Sequence, residues 1–225
     1  MCGFFFIKKK QKFNFEINKI SKACKLLSHR GPDNNKIFSN EDIFLKFYRL
    51  SIQDLSNKGM QPMISSSKKN IIIYNGEIYN FKELKKYLHD IKLKSNSDTE
   101  ILLELYEKIG NKIFEKIEGM FSFLIYNFET KKILVARDQF GIKPLYFFEN
   151  SKCLIFSSEI KPILKYLNKA EINLNSLGEY FFLGKQDHLN NTFFNNVKAI
   201  EPSHYYYFYN NKKFKYKYWS IFSGN

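Results

Sequence analysis

The stretch from Met120 to Phe156 constrains the fold most strongly, because short apolar runs alternate in it with turn-like breaks. Apolar runs of this length, bounded by Asn, Asp, Gly and Pro, are typical of strands. The runs are Phe121–Tyr126, Ile133–Ala136, Leu145–Phe148 and Leu154–Phe156. They predict a meander of consecutive antiparallel strands, so the chain is expected to be built on sheet.

Helices are predicted between further strands along the rest of the chain. The other predicted strands are Gly3–Ile7, Ile43–Ile52, Ile71–Tyr74 and a closing hairpin of Tyr205–Tyr209 and Phe214–Trp219. The predicted helices are one capped by Asn18, Phe81–Leu88, one that Asp98 caps and Gly110 ends, Ser158–Leu167 and Asn173–Leu183. Apolar strands mixed with helices predict an α+β layered domain.

Composition places the chain among globular proteins. Of its 225 residues, 44% are hydrophobic and 18% aromatic, well above the content of disordered chains. No apolar run approaches the length of a membrane span, and the start lacks the features of a signal peptide, so we expect a cytoplasmic protein without membrane association. Three cysteines without a C-x-x-C pair predict neither a disulfide framework nor a metal site. Cys24 and Cys153 are expected in the core.

The net charge of +14 would suit a nucleic-acid binder. The lysines, however, are scattered over predicted turns and helix faces and do not form one stripe interleaved with aromatics. Lysine clusters occur at Lys8–Lys10, Lys85–Lys86, Lys131–Lys132 and Lys212–Lys213. We interpret them as solvated surface and expect no nucleic-acid partner.

Cys2 is the first candidate for chemistry. Removal of Met1 would make it the N-terminus, with a thiol of ordinary pKa about 8.5 beside an α-amine of ordinary pKa about 7.7–8.0. Near neutrality the amine can accept the proton that the thiol must lose, so one residue supplies nucleophile and base. Any protein can begin Met-Cys, so the dipeptide alone does not decide the matter.

Four further polar positions have both a structural and a functional interpretation. Arg49 interrupts an apolar run, and its guanidinium either pairs with a protein carboxylate or binds the carboxylate of a ligand. Asn75-Gly76 is either a hairpin turn or a pair of oxyanion donors. Asp98 is a sufficient helix cap, but its charge also suits a substrate ammonium. For His29, a structural hydrogen bond is favoured over a catalytic role.

Eight short motifs, in order and spacing, resemble the N-terminal glutaminase domain of glutamine-hydrolysing asparagine synthetases. They are Met1–Gly3, His29–Asp33, Arg49–Ile52, Gln61–Met63, Asn75–Asn80, Ser97–Glu100, Ala136–Tyr146 and Ser157–Lys161. That domain is a class II glutamine amidotransferase of the N-terminal-nucleophile hydrolase type. The resemblance spans residues 2–219 and leaves 220–225 as a tail or linker. It implies a four-layer α/β/β/α sandwich of two mainly antiparallel sheets.

The resemblance also implies roles for individual residues. Cys2 would attack the side-chain amide of L-glutamine, and Asn75 and Gly76 would form the oxyanion hole. Arg49 would bind the α-carboxylate and Asp98 the α-ammonium of the substrate. Leu50, Ile52 and Glu77 would line the same pocket. Water would then resolve a thioester to glutamate, and no metal is expected.

Some positions depart from the family pattern. Phe5 and Phe6 stand where a small residue and a glycine are common, so packing beside the nucleophile is expected to differ. Glu201-Pro202-Ser203-His204 replaces a more usual Pro-Pro-Gly-His, and Gly184-Lys185-Gln186 departs from a common Gly-Tyr pattern.

The sequence holds no phosphate loop of the synthetase type, so we expect an excised or separately encoded glutaminase domain. ATP and Mg are expected only in an absent synthetase domain, joined in cis or in trans, that receives ammonia. The acceptor would be aspartate or, alternatively, a sugar uronic acid, and homodimerisation is left open. A catalytically silent docking or regulatory module and a basic nucleic-acid binder are the alternatives of other classes.

Overall fold

Two antiparallel sheets of six strands form the centre of the protein in the computed structural model, which describes residues 1–185 and 190–222. The strands are β1 (Gly3–Lys9), β2 (Asn34–Ser39), β3 (Ile43–Arg49), β4 (Met63–Ile64), β5 (Asn70–Ile78), β6 (Gly119–Asn127), β7 (Ile133–Arg137), β8 (Tyr146–Glu149), β9 (Cys153–Ser157), β10 (Val197–Ala199), β11 (His204–Tyr209) and β12 (Lys212–Lys217). The helices are α1 (Ile17–Cys24), α2 (Phe81–Leu84), α3 (Asp98–Ile109), α4 (Ile160–Leu167) and α5 (Leu174–Leu183).

The strand order is β10-β8-β9-β1-β3-β2 in the first sheet and β12-β11-β7-β6-β5-β4 in the second. Because side chains alternate between the two faces of a strand, every second residue of the central strands points into the space between the sheets. Phe4 and Phe6 of β1, Phe47 of β3, and Ile71 and Ile73 of β5 meet there in one fully buried cluster. The inner core therefore joins the two sheets face to face.

The outer face of each sheet is covered by helices. Phe5 and Ile7 pack with Ile20 of α1 and Ile163 of α4 on the first sheet. On the second sheet, Ile72 and Tyr74 pack with the apolar residues of α3, among them Leu102 and Leu105. This confirms the four-layer α/β/β/α sandwich.

The meander predicted between Met120 and Phe156 is wrong in one respect. Strands β6 and β7 pair in the second sheet, whereas β8 and β9 pair in the first. The segment between Arg137 and Tyr146 therefore crosses from one sheet to the other. Apolar runs predict strands but not the sheet that each strand joins, because both sheets are equally apolar on their inner faces.

Two predicted helix caps are also wrong. Helix α1 follows Glu16, which makes no side-chain capping bond, and Asn18 lies inside the helix. Helix α3 is capped by Ser97, whose hydroxyl accepts from the N–H of Thr99, so Asp98 is the first helical residue. Its carboxylate is thereby free for other partners. Helix α5 is capped by Asn173, whose side chain accepts from Ser176 N–H.

Cys24 and Cys153 are buried free thiols, as expected. Across the part of the chain that the structure describes, no helix combines the length and the apolar character needed to span a membrane.

Candidate active site

The candidate site lies at one end of the inner core, where three strands present polar side chains on the faces that carry Phe and Ile elsewhere. Cys2 precedes Phe4 by two residues and packs against the inner cluster. Arg49 follows Phe47, and Asn75 follows Ile73, each by two residues. The register that pairs Gly3 with Tyr48 brings Cys2 opposite Arg49. Strand alternation thus gathers residues more than 70 positions apart.

The Cys2 thiol lies against the main chain of Leu50. The Leu50 N–H donates to Sγ over 3.4 Å, and the thiol donates to the Leu50 carbonyl oxygen over 3.5 Å. Burial raises the pKa of the thiol above its ordinary value, and the hydrogen bond from Leu50 opposes that rise. The thiol is therefore held in place but needs a base or a nearby cation before it becomes a nucleophile.

Arg30 fixes the main chain of Cys2, a role that the sequence did not indicate. Its Nε donates to the Cys2 carbonyl oxygen over 2.9 Å, and its Nη1 donates to the Glu159 carboxylate over 3.1 Å. The same Glu159 oxygen lies 2.9 Å from Nε2 of His29. His29 therefore has the structural hydrogen bond that was favoured for it, and it supports the arginine that holds the nucleophile.

Arg49 is 6% exposed, and among the described residues its guanidinium does not pair with a protein carboxylate, which was one of the two interpretations of its charge. Its Nη1 donates to the Ser56 carbonyl oxygen over 2.7 Å, and its Nη2 donates to the Asp54 carbonyl oxygen. Both partners are main-chain carbonyls, not a carboxylate. The guanidinium lines the cleft with its positive charge available to an anionic ligand.

Asn75 and Gly76 lie within β5 and form no turn, so the hairpin interpretation is wrong. Asn75 is 1% exposed, and its side-chain Nδ2 is a buried donor without a hydrogen-bond partner among the described residues. Buried donors are rarely left unpaired unless a ligand or reacting group completes them. Asn75 thus offers an N–H to whatever enters the cleft.

The N–H of Gly76 faces the same open edge of β5. The N–H groups of Tyr74 and Ile78 point away from β6, because they donate to the side chains of Gln61 (2.6 Å) and Asp98 (3.0 Å). Alternate residues of a strand share an edge, so the Gly76 N–H points the same way. With Asn75 it forms a pair of donors of the kind that holds an oxyanion.

Glycine at position 76 is required by the neighbouring strand. A Cβ there would lie 2.3 Å from the Met120 carbonyl oxygen and 2.7 Å from Cα of Phe121. Gly76 therefore lets β5 and β6 approach each other closely.

Asp98 is held by the outer face and the edge of β5 together. Its Oδ2 accepts from the Tyr74 hydroxyl over 2.7 Å and from the Ile78 N–H over 3.0 Å. Burial raises the pKa of its carboxyl, and these two hydrogen bonds oppose the rise. Burial first, and Asp98 second, raise the pKa of Tyr74 well above its ordinary range, so the phenol stays a donor.

The remaining predicted residues, Leu50, Ile52 and Glu77, line the same cleft, which encloses about 620 Å³, part of it open to solvent. The structure therefore brings every predicted site residue together. Ile52 is 64% exposed and lies at the mouth. Glu77 shares the inner-face alternation of Asn75, and its carboxylate accepts from the Gln53 amide over 3.1 Å.

One buried lysine in the cleft had no predicted role. Lys143 is 6% exposed and lies on the segment that crosses between the sheets. Asp138, which is fully buried, holds that segment by accepting from the N–H groups of Phe140, Ile142 and Lys143. No residue close to Cys2 in sequence indicates this lysine, because the connection between the two sheets places it in the cleft.

The cleft combines a thiol, two oxyanion donors, a cation and an anion. Such a set suits a ligand with a carboxylate, an ammonium and a carbonyl group that a thiol can attack. Among residues 1–185 and 190–222, no cluster of His, Cys, Asp and Glu could hold a metal ion.

A family model described as the glutamine amidotransferase domain matches residues 1–219. The chain belongs to this family. The resemblance recognised in the motifs is thereby confirmed.

Relatives of this amidotransferase domain carry asparagine synthetase names. A putative glutamine-hydrolysing asparagine synthetase 2 from Methanocaldococcus jannaschii is 40% identical over 207 residues, covering 82% of this chain and 39% of its own. The glutamine-hydrolysing asparagine synthetase 2 of Bacillus subtilis is 38% identical over 184 residues, covering 80% of this chain and 24% of its own. The chain thus spans well under half the length of these relatives.

The fold of the amidotransferase domain also has solved counterparts. The glutamine phosphoribosylpyrophosphate amidotransferase of B. subtilis aligns with a TM-score of 0.67 at 17% identity, covering 98% of this chain and 50% of its own. A structure described as the allosteric regulatory enzyme of purine biosynthesis aligns with a TM-score of 0.69 at 17% identity. These matches agree with the α+β fold of two antiparallel sheets between helices.

The departures from the family pattern are accommodated by this amidotransferase domain. Phe5 packs in the outer core and Phe6 in the inner core, both fully buried. Ser203 stands where glycine is usual and has a φ of 63°, a left-handed conformation. Its N–H and hydroxyl donate to the carbonyl oxygens of Asp138 and Gln139, which hold it there. Gln186 lies outside the described residues.

Proposed function

We propose that this domain hydrolyses L-glutamine to L-glutamate and ammonia, with Cys2 as nucleophile once Met1 is removed. One observation supports it above the others: the unpaired Nδ2 of Asn75 is buried in the cleft that also contains Cys2, Arg49 and Asp98. A zwitterionic amino acid amide needs a cation, an anion and an oxyanion site at fixed separation, and Arg49, Asp98 and the Asn75-Gly76 pair of this cleft can supply them.

Each residue has a defined part in the proposed reaction. The α-amine of Cys2 takes the thiol proton, and Sγ attacks the side-chain carbonyl carbon of glutamine. The N–H groups of Asn75 and Gly76 stabilise the oxyanion that forms. As it collapses, the C–N bond breaks, and the α-amine returns its proton to the departing ammonia. Water then attacks the thioester and releases glutamate and the free thiol.

Substrate orientation follows from the two charged side chains. Arg49 binds the α-carboxylate, and Asp98 binds the α-ammonium, with Leu50, Ile52 and Glu77 around them. The Arg49 guanidinium is already held by two main-chain carbonyls, so little side-chain freedom is lost when the carboxylate arrives.

The ammonia is destined, in this proposal, for ATP-dependent amidation of aspartate in a synthetase domain joined in cis or in trans. The asparagine synthetase names of the relatives favour aspartate over a sugar uronic acid. ATP and Mg belong to that second domain. A cytoplasmic location and a homodimer stay predictions from the sequence.

The decisive experiment is intact-mass analysis and peptide mapping of untagged protein, before and after exposure to a diazoketone that mimics glutamine. We expect one adduct on a Met1-free Cys2, prevented by excess glutamine. Cys24 and Cys153 serve as internal controls, because both are buried and should stay unmodified. Protein that lacks Met1 and forms no adduct would contradict the proposal, as would an adduct that glutamine does not prevent.

A further inference from the structure

Lys143 carries a charge into the reacting end of the cleft without a partner for it. The side chain is 6% exposed, and its ammonium makes no hydrogen bond or ion pair with any described residue. It lines the cleft together with Cys2, Gly76 and Met120. An ammonium at the end of a mostly buried side chain and without a direct partner is stabilised by an anion close to it.

The main chain around Lys143 is held on both sides, which fixes the direction of its side chain. Its N–H donates to the Asp138 carboxylate over 2.9 Å, and its carbonyl oxygen accepts from Nε of Arg137 over 2.9 Å. The next carbonyl, that of Pro144, accepts from the Ser122 hydroxyl over 3.2 Å. A lysine on a mobile surface loop would have none of this support.

We propose that Lys143 supplies a positive charge at the Cys2 end of the cleft and favours the Cys2 thiolate over the thiol. The inference rests on the proposed function in that it makes Cys2 the nucleophile. Lys143 is then a positioning residue, which acts through its charge on the Cys2 thiol. It is distinct from Arg49, the cation that binds the substrate carboxylate in the proposed function. The direction of the effect on the Cys2 pKa follows from electrostatics, because a nearby cation stabilises an anion and opposes protonation of an adjacent amine.

Several other charged groups act on the Lys143 ammonium and on the Cys2 thiol. Lys143 faces Arg30, which repels it, and Asp138, Glu77 and Cys2, which attract it. Burial lowers the pKa of the Lys143 ammonium further than any of these charges.

Around the thiol, the Met1 amine and Arg49 favour the thiolate, whereas Asp98 opposes it. The Met1 amine is itself faced by Cys2, Arg30, Lys143 and Asp33. In the Met1-free protein the terminal amine belongs to Cys2, so the ionisations of thiol and amine are measured as those of a pair. Loss of the lysine charge raises the pKa of both groups, so the midpoint of Cys2 alkylation moves to higher pH.

The test measures the rate at which iodoacetamide alkylates Cys2 of the Met1-free protein as a function of pH, with the site read by peptide mapping. For Lys143→Met, which keeps the length of the stem, we expect the midpoint to rise by about 0.5–1 pH unit. Lys143→Arg should stay close to the wild-type midpoint. Lys22→Met, at an exposed lysine of α1, is the surface control and should leave the midpoint unchanged.

Thermal melts establish that each variant is folded. If Lys143→Met shows no cooperative transition, Lys143→Gln takes its place and the same rise is required. A folded neutral variant with the wild-type midpoint would overturn the proposal, as would an equal rise in Lys143→Arg. Iodoacetamide needs no glutamine, so this result stays separate from a failure of the proposed hydrolysis.

Discussion

The side-chain amide of Asn75 has a buried N–H donor with no partner in the described chain. If that donor stabilises the oxyanion, Asn75→Ala should lower kcat by about 10²–10³ with a much smaller change in KM. Steady-state glutamate release measures both constants. Asn75→Asp is the matched variant, because its carboxylate has nearly the same shape but cannot donate; activity close to wild type in Asn75→Asp would contradict the assignment.

The role of Cys2 gives a second prediction at a single residue. Cys2→Ala should abolish glutamate release and leave glutamine binding largely intact, because Arg49 and Asp98 remain in place. Calorimetric titration with glutamine and a coupled glutamate assay separate the two properties. Turnover comparable to wild type would show that another group attacks the amide.

Asp98 allows binding and stability to be separated. Asp98→Asn keeps an oxygen that can accept from the Tyr74 hydroxyl and the Ile78 N–H but loses the charge. We expect KM for glutamine to rise at least about tenfold, since a charge-assisted contact to the ammonium is lost. The melting temperature at neutral pH should lie above that of wild type, because the amide avoids the cost of burying an ionised carboxylate. An unchanged KM would remove Asp98 from the ammonium site.

The pH dependence of stability at Asp98 has a definite sign. Burial raises the pKa of this carboxyl above its unfolded value near 3.8, so the folded state binds the proton more tightly. Wild-type protein should therefore gain stability from this group as pH falls through the raised pKa, and lose that gain as pH rises. Urea unfolding should show Asp98→Asn more stable than wild type at neutral pH, and the difference between their free energies of unfolding should narrow as pH falls through the raised pKa.

Sequence alone identified the residues of the cleft better than it identified their surroundings. Residue type made Cys2, Arg49 and Asp98 candidates with open alternatives, and the resemblance of the eight motifs then gave them their roles. Their partners were not predictable. Arg49 donates to the carbonyl oxygens of Asp54 and Ser56, five and seven residues along the chain. Arg30 and Lys143 are brought to the site by the tertiary fold. Lysines are also common in this sequence, so nothing in the pattern distinguished the buried Lys143 from those on the surface.

At the scale of elements, the close approach of β5 and β6 decides whether the site forms. Gly76→Ala would place a methyl group 2.3 Å from the Met120 carbonyl oxygen, so the strands must separate. We expect a loss of about 2 kcal/mol or more in the free energy of unfolding, together with loss of activity, measured by urea denaturation and glutaminase assay.

Gly178→Ala is the control for that prediction. Gly178 lies in α5, and a Cβ there meets nothing within 4 Å. Alanine is the better helix former, so this variant should gain about 0.5–1 kcal/mol. Equal effects of the two substitutions would mean that strand contact at Gly76 does not govern stability.

The elements themselves were predictable where hydrophobic periodicity is strong. The apolar strands were found because their side chains are buried on one or both faces, whereas β12 of the closing hairpin is exposed along its length. Strand β2 was not predicted, since its residues are mostly exposed and polar, and it exists because it pairs with the edge of β3. The split of the predicted meander between two sheets depends on packing, which no local pattern encodes.

At the scale of the whole molecule, the proposed mechanism makes activity depend on a free N-terminus. An uncleaved N-terminal tag should abolish glutamate release, because the Cys2 nitrogen would then be an amide that cannot serve as the base. The same tag at the C-terminus should leave activity within about twofold of untagged protein. Full turnover with the N-terminal tag in place, checked by intact mass, would rule out the α-amine as base.

The position of Cys2 at the start of a central strand also restricts how genes for such domains can evolve. Strand β1 lies between β9 and β3, and Arg30 holds the Cys2 carbonyl, so the first residues cannot be moved aside to make room for an insertion. A module fused upstream would silence the thiol unless a protease released it. Under the proposed mechanism, gene fusion therefore adds new domains on the C-terminal side of this domain. The domain that is added there then determines the ammonia acceptor.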